Sequence, residues 1–212
     1  MLSIVLSRKD FREHDQIVSL YVKENGKLSL IVRGVKKIVS KNSAHLEPFS
    51  FVNITIEKGK EADYLTRVQS VDYLRNVREN LNKSLMASYA VSIVDKFFSE
   101  GDHDEQFFIF LENFLFFLND LENIDNKEII LLLDYFMVNL LYFLGFNFSS
   151  NEKIANSSIL PYIEILEKGN LAEVLLIDFD LYSAKKIHKV IHNWFEHLLE
   201  RKVADWALTC II

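Results

Sequence analysis

Four positive charges, Arg33, Lys36, Lys37 and Lys41, fall within nine residues that contain no negative one. Cations at that density can neutralise phosphates and release their counterions. Arg8 and Lys9 precede them, with Arg12, Lys58 and Lys60 in neighbouring turns. Gly34 lets the backbone turn sharply inside the cluster. The same charges would also suit an ordinary solvated loop.

Three other groupings invite chemistry. His188, His192 and Glu196 are spaced by four, a helical spacing that can chelate a metal. They lie off the apolar stripe of their helix, and no second helix offers a matching pair, so a solvated face is the plainer expectation. Asp178 and Asp180 could pair as carboxylates, but Asp180 is better placed to cap the helix that follows. Lys185, Lys186 and Lys189 form the densest basic cluster after residue 78, beside Ile187, Val190 and Ile191. An acidic, apolar peptide would need such a place. The single cysteine, Cys210, excludes a disulfide scaffold and a four-cysteine zinc site. There is no glycine-rich phosphate loop and no G-x-S-x-G elbow. No catalytic set emerges, and the chain is not expected to be an enzyme.

Residues 1–78 must position the first cluster, and there the apolar period is two. Five strand-length runs are expected: Leu2 to Leu6, Gln16 to Val22, Lys27 to Arg33, Phe51 to Glu57 and Tyr64 to Tyr73. Asn25-Gly26 marks a hairpin turn between the second and third. Five short strands in so few residues suggest a barrel, which closes its own edges. Tyr21, Phe51 and Tyr64 are expected in its core or wall rather than as platforms for bases.

From about Asn80 the pattern is helical. Leu81, Leu85, Tyr89, Ile93 and Phe97 suggest one helix face. Further helices are expected over Glu105 to Leu121 and Lys127 to Leu144, with Gly145 as a stop. Pro161 suits the first turn of a short helix. The final helix carries a stripe of Ile187, Val190, Ile191, Trp194, Phe195, Leu198 and Leu199. The fold class is therefore α+β and multi-domain, with a barrel over 1–78 and an all-α domain over 79–212.

Charge divides at the same place. Residues 1–78 hold 14 Lys and Arg against 9 Asp and Glu, a net of +5, whereas residues 79–212 hold 10 against 21, a net of −11. A basic part joined to an acidic remainder is the pattern expected when one part meets a polyanion. The middle helices are very apolar, yet Glu112, Asp120 and Asp134 interrupt them. A charge at mid-membrane costs roughly 2.5–3.5 kcal/mol, so buried helices are expected rather than membrane spans. No secretory signal is visible, so the cytoplasm is the expected compartment.

A longer pattern joins these parts. Glu13-His14-Asp15-Gln16-Ile17-Val18-Ser19-Leu20-Tyr21, Glu24-Asn25-Gly26-Lys27, Arg33-Gly34-Val35-Lys36-Lys37, Ser40 and Leu46-Glu47-Pro48-Phe49-Ser50 keep one order and spacing over about forty residues. The series resembles the N-terminal barrel of the bacterial RecO family of recombination mediators. Phe136, Leu140-Leu141 and Leu144-Gly145-Phe146 are similar to a helix ending in Leu-Gly-Tyr in that family. The resemblance implies an oligonucleotide-binding (OB-type) barrel followed by a helical domain. It implies binding to single- and double-stranded DNA, annealing of complementary strands and, with RecR, loading of RecA onto strands coated by SSB, whose acidic tail is also recognised. On this reading Arg8, Lys9, Arg33, Lys36, Lys37 and Lys41 contact DNA, and Lys185, Lys186 and Lys189 meet the SSB tail. Nucleoid association within the cytoplasm would follow.

The chain departs from the family pattern in places. Some members carry a four-cysteine zinc site after the matched helix. Residues 146–158 contain no cysteine, so no zinc and no other cofactor is expected. Ser92 and Met137 stand where the family often has Glu, and Asp205-Trp206 stands near a family Ser-Arg pair. Two other classes stay open on the residues alone: an interaction module that binds no DNA, and a metal enzyme built on His188, His192 and Glu196.

Overall fold

The computed structural model describes residues 1–36, 43–146 and 158–205. It has two compact units, Met1–Asp120 and Leu121–Ile212. In the first, strands β1 (Leu2–Asp10), β2 (Gln16–Val22), β3 (Gly26–Val32), β4 (Phe51–Glu57) and β5 (Tyr64–Asp72) close a barrel in the order β1-β2-β3-β5-β4. Neighbours are antiparallel except β3 and β5, which run parallel through the pair Ile31 and Tyr64. Val5, Val18, Leu20, Leu30, Val32, Val52, Ile54, Leu65 and Val68 fill the interior. The five expected strands are thus present, each within a few residues of its expected ends. The fold is an OB-type barrel followed by helices.

Period two accounts for the inward row, but part of the outward row is apolar as well. Outward-pointing Tyr21 and Phe51 are buried. Tyr21 meets Phe98 and Phe107 edge-on, at 5.4 and 5.2 Å between centroids, and Phe51 stacks on Phe116 at 4.8 Å. Those partners lie on or beside helices α2 (Leu81–Phe97) and α3 (Glu105–Asp120), which follow the short α1 (Arg75–Glu79). A barrel wall with two apolar faces needs such a cover.

The expected row on α2 is only partly the buried face. Ile93 is buried, Leu85, Tyr89 and Phe97 are half-buried and Leu81 is 73% exposed, whereas the other buried residues include Met86, Ala87, Ala90, Val91 and Val94. A strict spacing of four advances about 40° per step on a helix of 3.6 residues per turn. Across sixteen residues such a row winds off any single face.

Two contacts fix α2 and the turn that follows it against the barrel. Asp95 accepts hydrogen bonds from Ser7 Oγ at 2.8 Å and Ser19 Oγ at 2.6 Å, and pairs with Lys27 Nζ at 3.2 Å. Lys27 Nζ also donates to the backbone carbonyls of Asp95 and Phe98, at the helix end that favours a cation. Burial pushes the Asp95 carboxyl up, but the hydrogen bonds from Ser19 and Ser7 and the charge of Lys27 together hold it below the ordinary carboxylate value. The second contact is at Gly26, where φ is +70°. A Cβ there would run into the Asp102 carbonyl, which accepts from Lys27 N at 3.1 Å. Beside the barrel, the Arg78 guanidinium sits 4.1 Å from the Phe49 ring and 3.9 Å from the Tyr73 ring and donates to the Pro48 carbonyl.

The second unit contains α4 (Asn126–Phe143), α5 (Leu160–Lys168), α6 (Leu171–Leu175) and α7 (Leu181–Leu199). A capping box of Asp125 and Glu128 starts α4. Gly145, at φ +87°, ends it: Gly145 N donates to the Tyr142 carbonyl and Phe146 N to the Leu141 carbonyl. Pro161 sits in the first turn of α5, and Asp180 caps α7 by accepting from Ser183 N at 3.0 Å. On α7 the buried residues are Ala184, His188, Ile191, His192 and Phe195. The expected stripe is therefore rotated: Val190 is 39% exposed, and two histidines occupy the inner face. No helix among the described residues is long and apolar enough to cross a membrane.

Replacing Asp95 with Ala leaves the Ser7 and Ser19 hydroxyls without their acceptor and removes the counter-charge of Lys27, which keeps its two carbonyl partners. The expected loss is about 2 kcal/mol in urea unfolding at pH 7. A carboxyl held low in the folded chain stabilises it above the unfolded pKa and stops doing so as pH falls through the folded value. The gap between parent and Asp95→Ala should therefore be full at pH 7 and shrink below about pH 4.

Candidate functional site

Strand register assembles one end of the barrel. Lys9 pairs with Ile17, Ile17 with Ile31, and Ile31 with Tyr64. Paired residues share a face, so these four form one outward row. Lys9 is exposed, whereas Ile17, Ile31 and Tyr64 are half-buried. Arg33 follows β3 directly, and its guanidinium lies 4.0 Å from the centroid of the Tyr64 ring. Gly34 N donates to Asp15 Oδ1 at 2.8 Å and Lys36 N to the His14 carbonyl at 3.1 Å, which ties residues 33–36 to the β1–β2 turn.

The expected cations fare differently. Lys9, Arg33 and Lys36 are exposed at this end. Lys36 Nζ pairs with Asp10 at 2.9 Å. The Asp10 carboxyl is held below its ordinary value by a hydrogen bond from Gln16 and then by Lys36. Arg8 pairs in register with the core residue Val18 and forms an ion pair with Glu47 at 2.7 Å, away from the outward row. Lys37 and Lys41 lie outside the described residues. Beside Arg33 a polar cleft of about 340 Å³ opens, lined by Glu57, Lys58, Tyr64 and Thr66 among others. Tyr21 and Phe51 are buried, as expected, and Tyr64 is part of the wall but borders this cleft. Sequence reasoning missed Phe11, which is 42% exposed, with the Arg12 guanidinium 4.9 Å from its ring centroid. The available signal was an aromatic set in a charged turn, outside the strand alternation. Exposed cations around exposed rings can hold a polyanionic strand whose bases stack.

The second unit has an apolar groove of about 440 Å³ between α5 and α7. Pro161, Tyr162, Phe179, Ile187 and Val190 line it, and Lys186 supplies a cation. Lys186 Nζ also lies 4.6 Å from the Tyr182 ring centroid. Lys185 is half-buried and Lys189 exposed, and neither lines the groove.

His188 and His192 are not on a solvated face. Both are buried. His188 Nδ1 lies 2.6 Å from Asp134 Oδ1, and Nε2 lies 3.2 Å from Asp205 Oδ1. Tyr162 donates its hydroxyl to the other Asp134 oxygen at 2.9 Å. Burial alone would lower the His188 pKa, but the two carboxylates outweigh it and push it up to about 10. Burial pushes the Asp134 carboxyl up. Glu196 is engaged elsewhere, accepting from Val203 N at 2.8 Å. Among the described residues, no group of three or more His, Cys, Asp or Glu is arranged to hold a metal ion.

Residues 2–74 match a family model described as recombination protein O N terminal, and residues 78–161 match recombination protein O C terminal. A DNA repair protein RecO from Syntrophomonas wolfei is 32% identical over 99 residues, covering 47% of this chain and 40% of that protein. One from Dehalococcoides mccartyi is 31% identical over 145 residues, covering 68% and 55%. One from Geobacter metallireducens is 25% identical over 182 residues, covering 86% and 72%. Against several of these relatives the match spans about two fifths to one half of the relative's length.

The buried histidine carries its own test. His188→Ala leaves the Asp134 carboxylate without its cation, and should cost about 3–5 kcal/mol in the unfolding of this unit. A histidine raised in the folded chain stabilises it fully below the unfolded value near 6.5, and the contribution fades as pH rises toward the folded value. The urea midpoint of the parent should accordingly lose this contribution between pH 6.5 and 10, and His188→Ala should lack it.

Proposed function

Because the chain belongs to the recombination protein O family, we propose that it is a recombination mediator in DNA repair. In this reading it binds single- and double-stranded DNA through its barrel and anneals complementary strands. With RecR, it helps load RecA onto single strands coated by SSB. It works by binding rather than by catalysis, in the cytoplasm and at the nucleoid. Labour divides between a DNA-binding part over 1–78 and a partner-binding helical part over 79–212.

One observation carries the proposal. The strand register and the turn around Gly34 gather exposed Lys9, Arg33 and Lys36 at one end of a closed barrel. The net charges of +5 and −11 support it, because the acidic part repels the ligand that the basic part attracts. The groove on the second unit supports the partner half of the reading. An acidic, apolar tail such as that of SSB needs an apolar trough with a cation, and Lys186 is the lysine of its cluster that borders one.

Each half has its measurement. Lys36→Ala with Lys37→Ala should weaken single strands of every sequence about equally, and lower the magnitude of the salt slope by roughly 0.7 per lost contact. Unchanged affinity and slope in the folded variant would remove these lysines from the interface. For the groove, Lys186→Glu should abolish binding of an SSB tail peptide, whereas Lys185→Glu and Lys189→Glu should weaken it less. Strand binding by the barrel should persist in all three. Equal peptide binding by Lys186→Glu and the parent would place the peptide elsewhere.

A further inference from the structure

The cleft beside Arg33 has features that phosphate neutralisation does not use. Its lining includes the Glu57 carboxylate, which disfavours a phosphate inside it. Its volume of about 340 Å³ is near the lower end of small-ligand pockets, room for one planar group but not for a duplex. It lies beside the seam where β3 and β5 meet through the pair Ile31 and Tyr64, with Ile31 N donating to the Asp63 carbonyl at 3.0 Å. On one side of the cleft the Arg33 guanidinium is held over the Tyr64 ring. A guanidinium fixed on a ring presents its outward plane as a flat, charged platform.

We infer that this cleft seats one unpaired nucleobase of a single strand, stacked on the outward plane of Arg33, with Lys58 near the adjoining phosphate. The inference rests on the strand-binding reading above and deepens it. Aromatic faces and guanidinium planes stack unpaired bases whatever their sequence. A base inside a duplex is stacked on both sides and reaches the cleft only by leaving its helix, which costs energy. The cleft therefore favours single strands over double strands, while the surrounding lysines serve both.

The test separates the stacked base from the charge. The full chain is titrated with a short oligo(dT), and with the same length of backbone carrying abasic sites throughout. Arg33→Lys keeps the charge but loses the plane. It should weaken oligo(dT) roughly tenfold with its salt slope preserved, and leave the abasic strand within twofold of the parent. Tyr64→Leu, which removes the ring beneath Arg33, should show the same pattern. A 2-aminopurine placed in the oligo(dT) should be quenched on binding the parent and far less on binding Arg33→Lys. Equal affinity of parent and Arg33→Lys for oligo(dT), or an equal loss on the abasic strand, overturns the base seat and leaves strand binding standing. Failure of the parent to bind any strand overturns both readings.

Discussion

The first unit depends on one carboxylate. Asp95, near the end of α2, takes hydroxyl hydrogen bonds from β1 and β2 and an ion pair from β3. It thereby fastens a helix across three adjacent strands of the barrel. Tyr21 and Phe51 supply the apolar area of that contact, but apolar contacts do not specify register. Polar groups half-buried under a helix do, because a shifted helix would leave two hydroxyls and a lysine unpaired. The consequence for function is subtractive. With β1, β2 and β3 covered at Ser7, Ser19 and Lys27, the barrel's open surface includes the turns around residues 11–15 and 33–36 and the cleft between β3 and β5.

The second unit has a comparable polar core in Asp134, His188 and Tyr162. In the sequence Asp134 is a charge interrupting an apolar run, and that is enough to argue against a membrane span. His188 looks like half of a chelating pair on a wet face. Neither residue reveals the other, because the pair is joined across 54 positions by the packing of α7 on α4. Helical periodicity ranks faces by the apolar residues on them. Ile191 and Phe195 of the expected stripe are buried; what periodicity does not supply is the rest of that face, His188 and His192, because a polar residue counts as outward. The rotation of α7 and the burial of His188 thus have one cause: a buried cation whose partner lies on another helix.

What could be read in advance had local causes. The five strands follow from alternation, the hairpin from Asn25-Gly26, the end of α4 from Gly145 and the start of α7 from Asp180. Each is decided within a few residues. The row along α2 is only partly buried because a spacing of four does not stay on one face over sixteen residues, and Ala87 and Ala90, whose small side chains suit close packing, carry little hydrophobic signal. In the candidate site, the positive cluster was legible as charge. The stacking of Arg33 on Tyr64 was not, because it depends on a parallel meeting of β3 and β5 that no turn signal announces.

Charge counting also overstates what the barrel can offer a polyanion. Arg8 is committed to Glu47 and Lys36 to Asp10, so a phosphate must compete with a carboxylate for each. Exchanging one exposed ion pair for another changes the free energy little, since such pairs are worth about 0–1 kcal/mol. Among the described residues Lys9, Arg12, Arg33, Lys58, Lys60 and Arg67 of the barrel have no acidic ion-pair partner, and such charges can release counterions without breaking a pair. Two of them, Arg33 and Lys58, border the half-buried Tyr64 ring at the cleft. If strands bind there as proposed, stacking carries a larger share of the binding than the net charge of +5 suggests.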